Sequence, residues 1–234
     1  MDIEKAARDL GADVFGVADL DYVRGYETYP KTLLDGFDYG ITIGVKLPDT
    51  VFDGLPESRP IYSREYVVAN DILDNIAFRL SRFIEKMGYR ALPIPASKII
   101  SKLYWRSYIS HKAIARAAGV GWVGRNLLLI TPEFGPRVRL ASILTDMPLE
   151  AGKPLRNRCG VCRECIENCI VGALKYSDFA DYPSSREDVF DVDTCASKLQ
   201  EFAADPNIGT MVCGICIKVC PWGKKNKVRK EVRA

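Results

Sequence analysis

Cysteine is absent from the first 158 residues of this 234-residue chain. That excludes a disulfide framework across the larger part of the fold. No apolar run approaches the roughly 20 residues that a membrane helix needs. The opening "MDIEKAARDLGADVFGVADL" has no basic n-region, no twin-arginine pair and no apolar h-region, so it does not read as a signal peptide. A cytoplasmic protein without a membrane partner is expected. Low-complexity linkers are absent, and no internal repeat appears beyond the cysteine motifs. A strong net charge is missing too: the sum is only +3. It is unevenly placed. The tail "KKNKVRKEVRA" (224–234) carries six basic residues and one acidic, +5, which leaves about −2 for everything before it. Such a tail reads as a solvated terminus or as a phosphate or RNA contact.

What the chain does have is eight cysteines crowded behind residue 158. "CGVCRECIENC" spaces Cys159, Cys162, Cys165 and Cys169 as C-x2-C-x2-C-x3-C. Zinc would be content with CxxC pairs and has no use for the triple. The triple run is the bacterial ferredoxin ligand pattern, which folds three thiolates around one cubane and sends the fourth to another. "CGICIKVCPWG" supplies Cys213, Cys216 and Cys220 followed by Pro221, the same pattern without its first cysteine. Cys195, 18 residues upstream of Cys213, can fill the gap. Crossed ligation then assigns Cys159, Cys162, Cys165 and Cys220 to one [4Fe–4S] cluster. Cys169, Cys195, Cys213 and Cys216 go to the other. Gly160 and Gly214 would relieve crowding where backbone passes close to sulfide.

About 150 residues precede this module. Residues 2–10 read as a short helix. "VFGVADL" (14–20) and "GITIGVKL" (40–47) read as strands. Residues 66–89 carry apolar side chains at helical spacing and end at Gly88. "RALPIPA" (90–96) reads as a strand and "SHKAIARAAG" (110–119) as a helix. "NLLLI" (126–130) and "VRLASILTD" (138–146) read as strands. Strands interleaved with helices imply an α/β (α+β) domain, residues 1–150. A ferredoxin-like two-cluster domain, 151–223, and the basic tail, 224–234, follow. "GVGWVG" (119–124) formally matches G-x-G-x-x-G, but it follows a helix and opens onto a strand, the wrong context for a dinucleotide. Its glycines permit close backbone approach, either to another segment or to a flat cofactor.

"AGVGWVGRNLLLITPEFGPRVRLASILTD" (118–146), with the eight cysteines in this order, resembles the core of the epoxyqueuosine reductases and corrinoid reductive dehalogenases. "YSREYVVAND" (62–71) is similar to their tyrosine-bearing helix entry. The resemblance implies an α/β cobalamin-binding domain with a base-off cobalamin beside the nearer of two [4Fe–4S] clusters. It implies that the 119–126 loop (Gly119, Gly121, Trp122, Gly124, Arg125 and Asn126) and the 135–140 turn (Gly135 and Leu140) line the corrin. A large flat ring does need glycine backbone beneath it, and the cofactor would supply the hard chemistry.

The chain also departs from that family. The proton-donating aspartate of the epoxyqueuosine reductases lies 14 residues before the first glycine of their "GLGW" motif, a position held here by Trp105 between Tyr104 and Arg106. The Glu-Arg pair that follows in the family falls on His111 and Lys112. The helical repeats that help hold tRNA are not found in the 14 residues after Cys220. These departures make tRNA an unlikely partner and a smaller substrate the expectation. By resemblance to the dehalogenases, Tyr104 with Arg106, or Tyr108, would supply the proton, since a neighbouring cation lowers a phenol's pKa. The competing assignment for these aromatics is packing. His111, the only histidine, reads as a cobalt ligand or acid, or as a surface or capping residue. The expected function is a cobalamin-dependent iron–sulfur reductase fed by an external low-potential electron donor of ferredoxin or flavodoxin type. The alternative is a dicluster electron carrier, or a reductive activator of another protein's corrinoid.

Overall fold

The computed structural model describes residues 2–101 and 105–224. Tyr104 and tail residues 225–234 therefore lie outside the described residues. The strands are β1 (Val14–Asp19), β2 (Tyr39–Lys46), β3 (Ala91–Ile94), β4 (Trp122–Val123), β5 (Leu129–Ile130) and β6 (Val138–Thr145). The helices are α1 (Ile3–Asp9), α2 (Asp49–Asp53), α3 (Arg59–Lys86), α4 (His111–Ala117), α5 (Glu164–Glu167), α6 (Val192–Ala204) and α7 (Ile215–Lys218). The main sheet runs β1-β2-β6-β3, and every pair in it is antiparallel. The interleaved sequence thus gives an α+β sheet and no parallel crossovers.

Alternation along the central strands sets the layers. Ile41 and Ile143 pair directly, as do Thr42 and Ser142. Ile41, Ile43, Ala141 and Ile143 point to one face and bury against Leu73, Ile76, Ala77, Leu80 and Ile84 of α3. That helical spacing is one continuous stripe. On the other face, Leu144 meets Ala113, Ile114 and Ala117 of α4. Gly40 lets α4 approach, because a Cβ there would stand 2.9 Å from Ile114 Cγ2.

Helix α3 begins seven residues before the expected 66. Pro60 sits in its first turn, where the missing N–H costs nothing. No glycine or proline then interrupts it before Gly88, whose φ of +90° ends the helix in the left-handed region. The strand expected over 126–130 is shorter, only Leu129–Ile130 paired with Trp122–Val123. Asn126 is the reason. Its Oδ1 accepts from the Leu128 amide at 3.1 Å, and Leu127 turns to a φ of +54°.

The cysteine-bearing segment is tied to this sheet by carbonyls. Arg137 Nη1 donates to Trp222 O at 2.9 Å, Asn126 Nδ2 to Cys216 O at 3.2 Å, and Arg125 Nη2 to Gly160 O at 2.6 Å. Gly135 and Gly223 pass so closely that a Cβ on Gly135 would lie 2.0 Å from Trp222 O.

Leu80 is fully buried in the stripe on α3. Leu80→Ala should cost about 2–5 kcal/mol of unfolding free energy. Anaerobic urea titration followed by circular dichroism reads it, and a cost below about 1 kcal/mol would show that α3 is not the principal cover of the sheet.

Candidate metal centre

All eight cysteines are free. Cys159, Cys162, Cys165 and Cys220 line one cleft with Arg125, Asn126, Ile130 and Trp222. The thiol of Cys165 is pushed up to about 12, first by burial and then by its neighbours Cys159, Cys220 and Cys162. The remaining cysteines form a second group. Cys195, in the first turn of α6, is pushed up to about 11 by burial and by Cys169 and Cys213. Burial raises Cys216 further, and Cys213, Cys165, Cys195 and Cys169 all contribute. The two groups have the membership that the ferredoxin spacing assigns. Cys165 on α5 and Cys216 on α7 also influence each other, so the groups abut.

A thiol raised this way stays protonated unless a cation stabilises its anion, and metal coordination does so outright. Among the described residues, no three His, Cys, Asp or Glu side chains converge as they would around a single metal ion. The first quartet instead surrounds a cleft. Buried nitrogens without a protein partner belong to residues around it: Trp122 Nε1, Arg125 Nε and Arg137 Nη2. Sulfide and thiolate acceptors would satisfy them, so the residues fit an iron–sulfur cluster. Gly160 has a φ of +55°, a conformation that itself favours glycine, and no protein atom lies within 4 Å of where a Cβ would stand. Gly214, at +83°, is required on both counts, since a Cβ would press on Leu55 and Tyr62.

The glycines expected beneath a corrin are occupied by the chain itself. A Cβ on Gly119 would meet Lys153 O, and one on Gly121 would meet Ile130 O, each at 2.5 Å. Gly124 abuts the Ile130 side chain, and Gly135 abuts Trp222. Trp122 is buried, and Leu140 packs among Val14, Ala115, Leu129 and Val138. Arg125 pairs with Asp178. Asn126 is bonded at both ends of its amide. This loop and turn join the sheet to the cysteine module, and these residues do not present free faces to a planar ring.

Of the proposed acids, Arg106 pairs with Glu27, and Tyr108 packs beside the core that contains Ala18, Leu20 and Ile114. Trp105 stands in the left-handed region at a φ of +50°. His111 is neither a ligand nor an exposed cap. Its Nε2 donates to Pro95 O at 2.9 Å, and Ser142 Oγ lies 2.9 Å from Nδ1 and donates to it. Burial, outweighing the Pro95 bond, lowers its pKa to about 4.

Other residues stand where sequence reading placed none. Tyr66 and Leu128, half-buried, pack with Cys216 in one apolar cluster. Arg139 lies 4.3 Å from the Tyr66 ring centroid and donates to Asn70 Oδ1 at 3.0 Å. Lys112 donates to Leu127 O at 2.6 Å, and its pKa falls to about 8 through burial, with Arg186 and Arg139 adding to the effect. The signals were the tyrosine-bearing helix entry, which holds Tyr66, and the 135–140 turn, which holds Arg139.

The family described as "4Fe-4S double cluster binding domain" matches residues 158–223. An epoxyqueuosine reductase of Bacillus cereus is 31% identical over 224 residues, covering 88% of this chain and 55% of its own length. A tetrachloroethene reductive dehalogenase of Desulfitobacterium hafniense is 30% identical over 278 residues, covering 95% and 47%. Its homologues are epoxyqueuosine reductases and reductive dehalogenases. The chain spans about half the length of these curated relatives. Two solved structures share its fold. One, a reductive dehalogenase described as suggesting a mechanism for B12-dependent dehalogenation, aligns at a TM-score of 0.74 and 22% identity over 97% of this chain and 32% of that one. The other, an epoxyqueuosine reductase with a modified tRNA-Tyr stem loop, aligns at 0.64 and 24% over 95% and 64%.

A histidine whose folded pKa lies below its unfolded value of 6.5 destabilises the fold as pH drops, because the unfolded chain takes up the proton first. Between pH 7 and 5 the anaerobic Tm of the wild type should therefore fall by roughly 2–4 °C more than that of His111→Gln. Parallel curves for the two proteins would show that His111 is not held neutral.

Proposed function

We propose that the chain is an iron–sulfur reductase that passes electrons through two [4Fe–4S] clusters to a base-off cobalamin and reduces a small electrophilic substrate. Residues 1–150 form the corrinoid-binding reductase domain, 151–223 the two-cluster domain and 224–234 a basic tail. Cys159, Cys162, Cys165 and Cys220 hold the first cluster. Cys169, Cys195, Cys213 and Cys216 hold the second. The observation that carries the reading is the gathering of eight free thiols into two abutting quartets, the second packed against Tyr66 and Leu128 of the first domain. An external low-potential carrier of ferredoxin or flavodoxin type supplies the electrons.

When bound, the clusters supply single-electron transfer and the corrin supplies the reducing metal. The cobalamin assignment draws support from the likeness to the B12-dependent neighbour. Gly119, Gly121, Gly124 and Gly135 do not support it, since the side on which each would carry a Cβ is filled. The residues left to meet such a group beside Cys216 are Tyr66, Leu128 and Arg139. Asn70 holds the Arg139 guanidinium in place. For the proton, Tyr104 with Arg106, or Tyr108, remains a proposed donor, and Lys112 joins them. With a pKa near 8, its ammonium is charged at neutral pH yet gives up a proton more readily than an ordinary lysine. The preference for a small substrate over tRNA rests on Trp105 in the aspartate's place. The filled glycine faces favour a second reading, a dicluster carrier or an activator of another protein's corrinoid.

Anaerobically reconstituted protein should hold about eight iron and eight sulfide per chain, the content of two four-iron clusters. Cys195→Ala should lose the second cluster, or leave it as a three-iron form, and retain the first. Iron analysis and low-temperature EPR read both; bound zinc without a cluster signal ends the reading.

Cobalamin should be retained stoichiometrically in equilibrium dialysis. Arg139→Ala should weaken that retention about tenfold while keeping the iron content, as removal of one cation–π and hydrogen-bonding group warrants. No retention by the wild type selects the carrier reading.

A further inference from the structure

The surroundings of the two quartets differ in hydrogen-bond donors. Trp122, fully buried, packs with Cys159 and Cys220, and its indole Nε1 has no partner. Arg125 lines the cleft with all four cysteines of the first quartet. Its Nε has no partner, although its other nitrogens bond Gly160, Ser177 and Asp178. Arg137, 1% exposed, lies close enough to favour the anion of Cys220, and its Nη2 has no partner. Asp49 approaches Arg137 Nε only to 3.7 Å. Leaving even one such donor buried and unbonded is costly, and three around one cleft require an acceptor. A carboxylate, Glu164, also lines this cleft. The second quartet has a buried cation too, Arg59, but its Nε is already bonded to Cys213 O at 3.3 Å. Asp191, the N-cap of α6, brings a negative charge to Cys195, and Tyr62 covers Cys213 and Cys216. One further partnerless buried nitrogen among the described residues, Arg116 Nε, belongs to a side chain that reaches Asp181. Another, Arg163 Nη1, follows Cys162 in the chain and so also belongs to the first quartet's loop.

We infer that Trp122, Arg125 and Arg137 donate to the sulfur atoms of the first cluster and set its reduction potential above that of the second. The inference rests on the two-cluster reading above. Its physical basis is the charge of a reduced cluster. Reduction adds one negative charge, so each N–H directed at sulfur stabilises the reduced state more than the oxidised one. A carboxylate beside a cluster does the reverse, but each quartet has one, Glu164 and Asp191, so the partnerless donors carry the difference. The first cluster therefore fills first and stores an electron. The second is reduced only by a stronger donor. A two-electron reduction fed by a one-electron carrier needs such a store.

Trp122→Phe keeps the ring and deletes the N–H. Arg125→Lys keeps the charge and deletes Nε. Each is made in the wild type and in Cys195→Ala, where the surviving four-iron signal belongs to the first cluster. EPR-monitored redox titration of anaerobic protein is the measurement. In each variant the ratio of reduced to oxidised first cluster at a given potential should fall about tenfold, the 59 mV of a one-electron couple. The second cluster's midpoint should not move. Eight iron with both midpoints unmoved, or with both moving equally, overturns the proposal. Loss of the first cluster from both variants overturns it too, because the donors would then hold the cluster and not tune it. Zinc in place of iron in the wild type overturns the two-cluster reading along with it; unmoved midpoints at full iron overturn this inference alone.

Discussion

The constraint on which the second half of the chain depends is the burial of thiols that must become anions. Cys165, Cys195, Cys216 and Cys220 all have raised pKa values, and burial is the largest cause in each. Neighbouring thiols add to the effect in each. Without a positive centre these groups favour the neutral form, and the quartets carry no charge to organise them. With one, the mutual repulsion that separates them becomes the geometry of a shared ligand set. The module has little else to hold it. Helices α5 and α7 are single turns, and only α6 is longer. A core this thin is of the kind that bound metal commonly completes.

The first domain answers that weakness by gripping the module's backbone. Arg59, Arg125, Asn126 and Arg137 all donate to carbonyls of residues next to, or in, the cysteine motifs. Carbonyl acceptors persist whatever the oxidation state of the cluster beside them. The glycine pair Gly135 and Gly223 brings the two parts into backbone contact, where any side chain would force them apart. The glycines of 119–135 thus serve cohesion: they let a two-stranded hairpin, β4 and β5, lie flush between the sheet and the first quartet.

What could be read in the sequence follows from what local spacing encodes. The cysteine spacing is a one-dimensional image of a three-dimensional ligand set, so the two quartets were legible down to the isolated Cys195. The strands were legible as short β-branched runs between turn residues, and α3 because it carries one stripe. The glycine loop was legible as a place of close approach, but not as to what approaches. Ile130, Lys153 and Trp222 are the partners, and nothing in a run of glycines distinguishes a carbonyl from a corrin. His111 misled for a related reason. Its type invites a chemical role, while its partners, Ser142 and Pro95, come from strand β6 and the end of β3. Arg139 lay inside the 135–140 turn, but its pairing with Tyr66 was invisible, because only the fold sets the two together.

Taken together, these contacts give the chain a polarity. The first quartet lies at the hairpin and is surrounded by indole and guanidinium nitrogens. The second lies against α3, with Tyr62 covering it and Tyr66 and Leu128 at its edge. The two are linked where α5 packs on α7. The partnerless N–H donors stand around the first site, and Asp191 stands beside the second. The acceptor side is marked by Arg139 and Lys112, two cations with no carboxylate partner among the described residues. Each of the two is positioned by a neutral partner: Asn70 for Arg139 and the Leu127 carbonyl for Lys112.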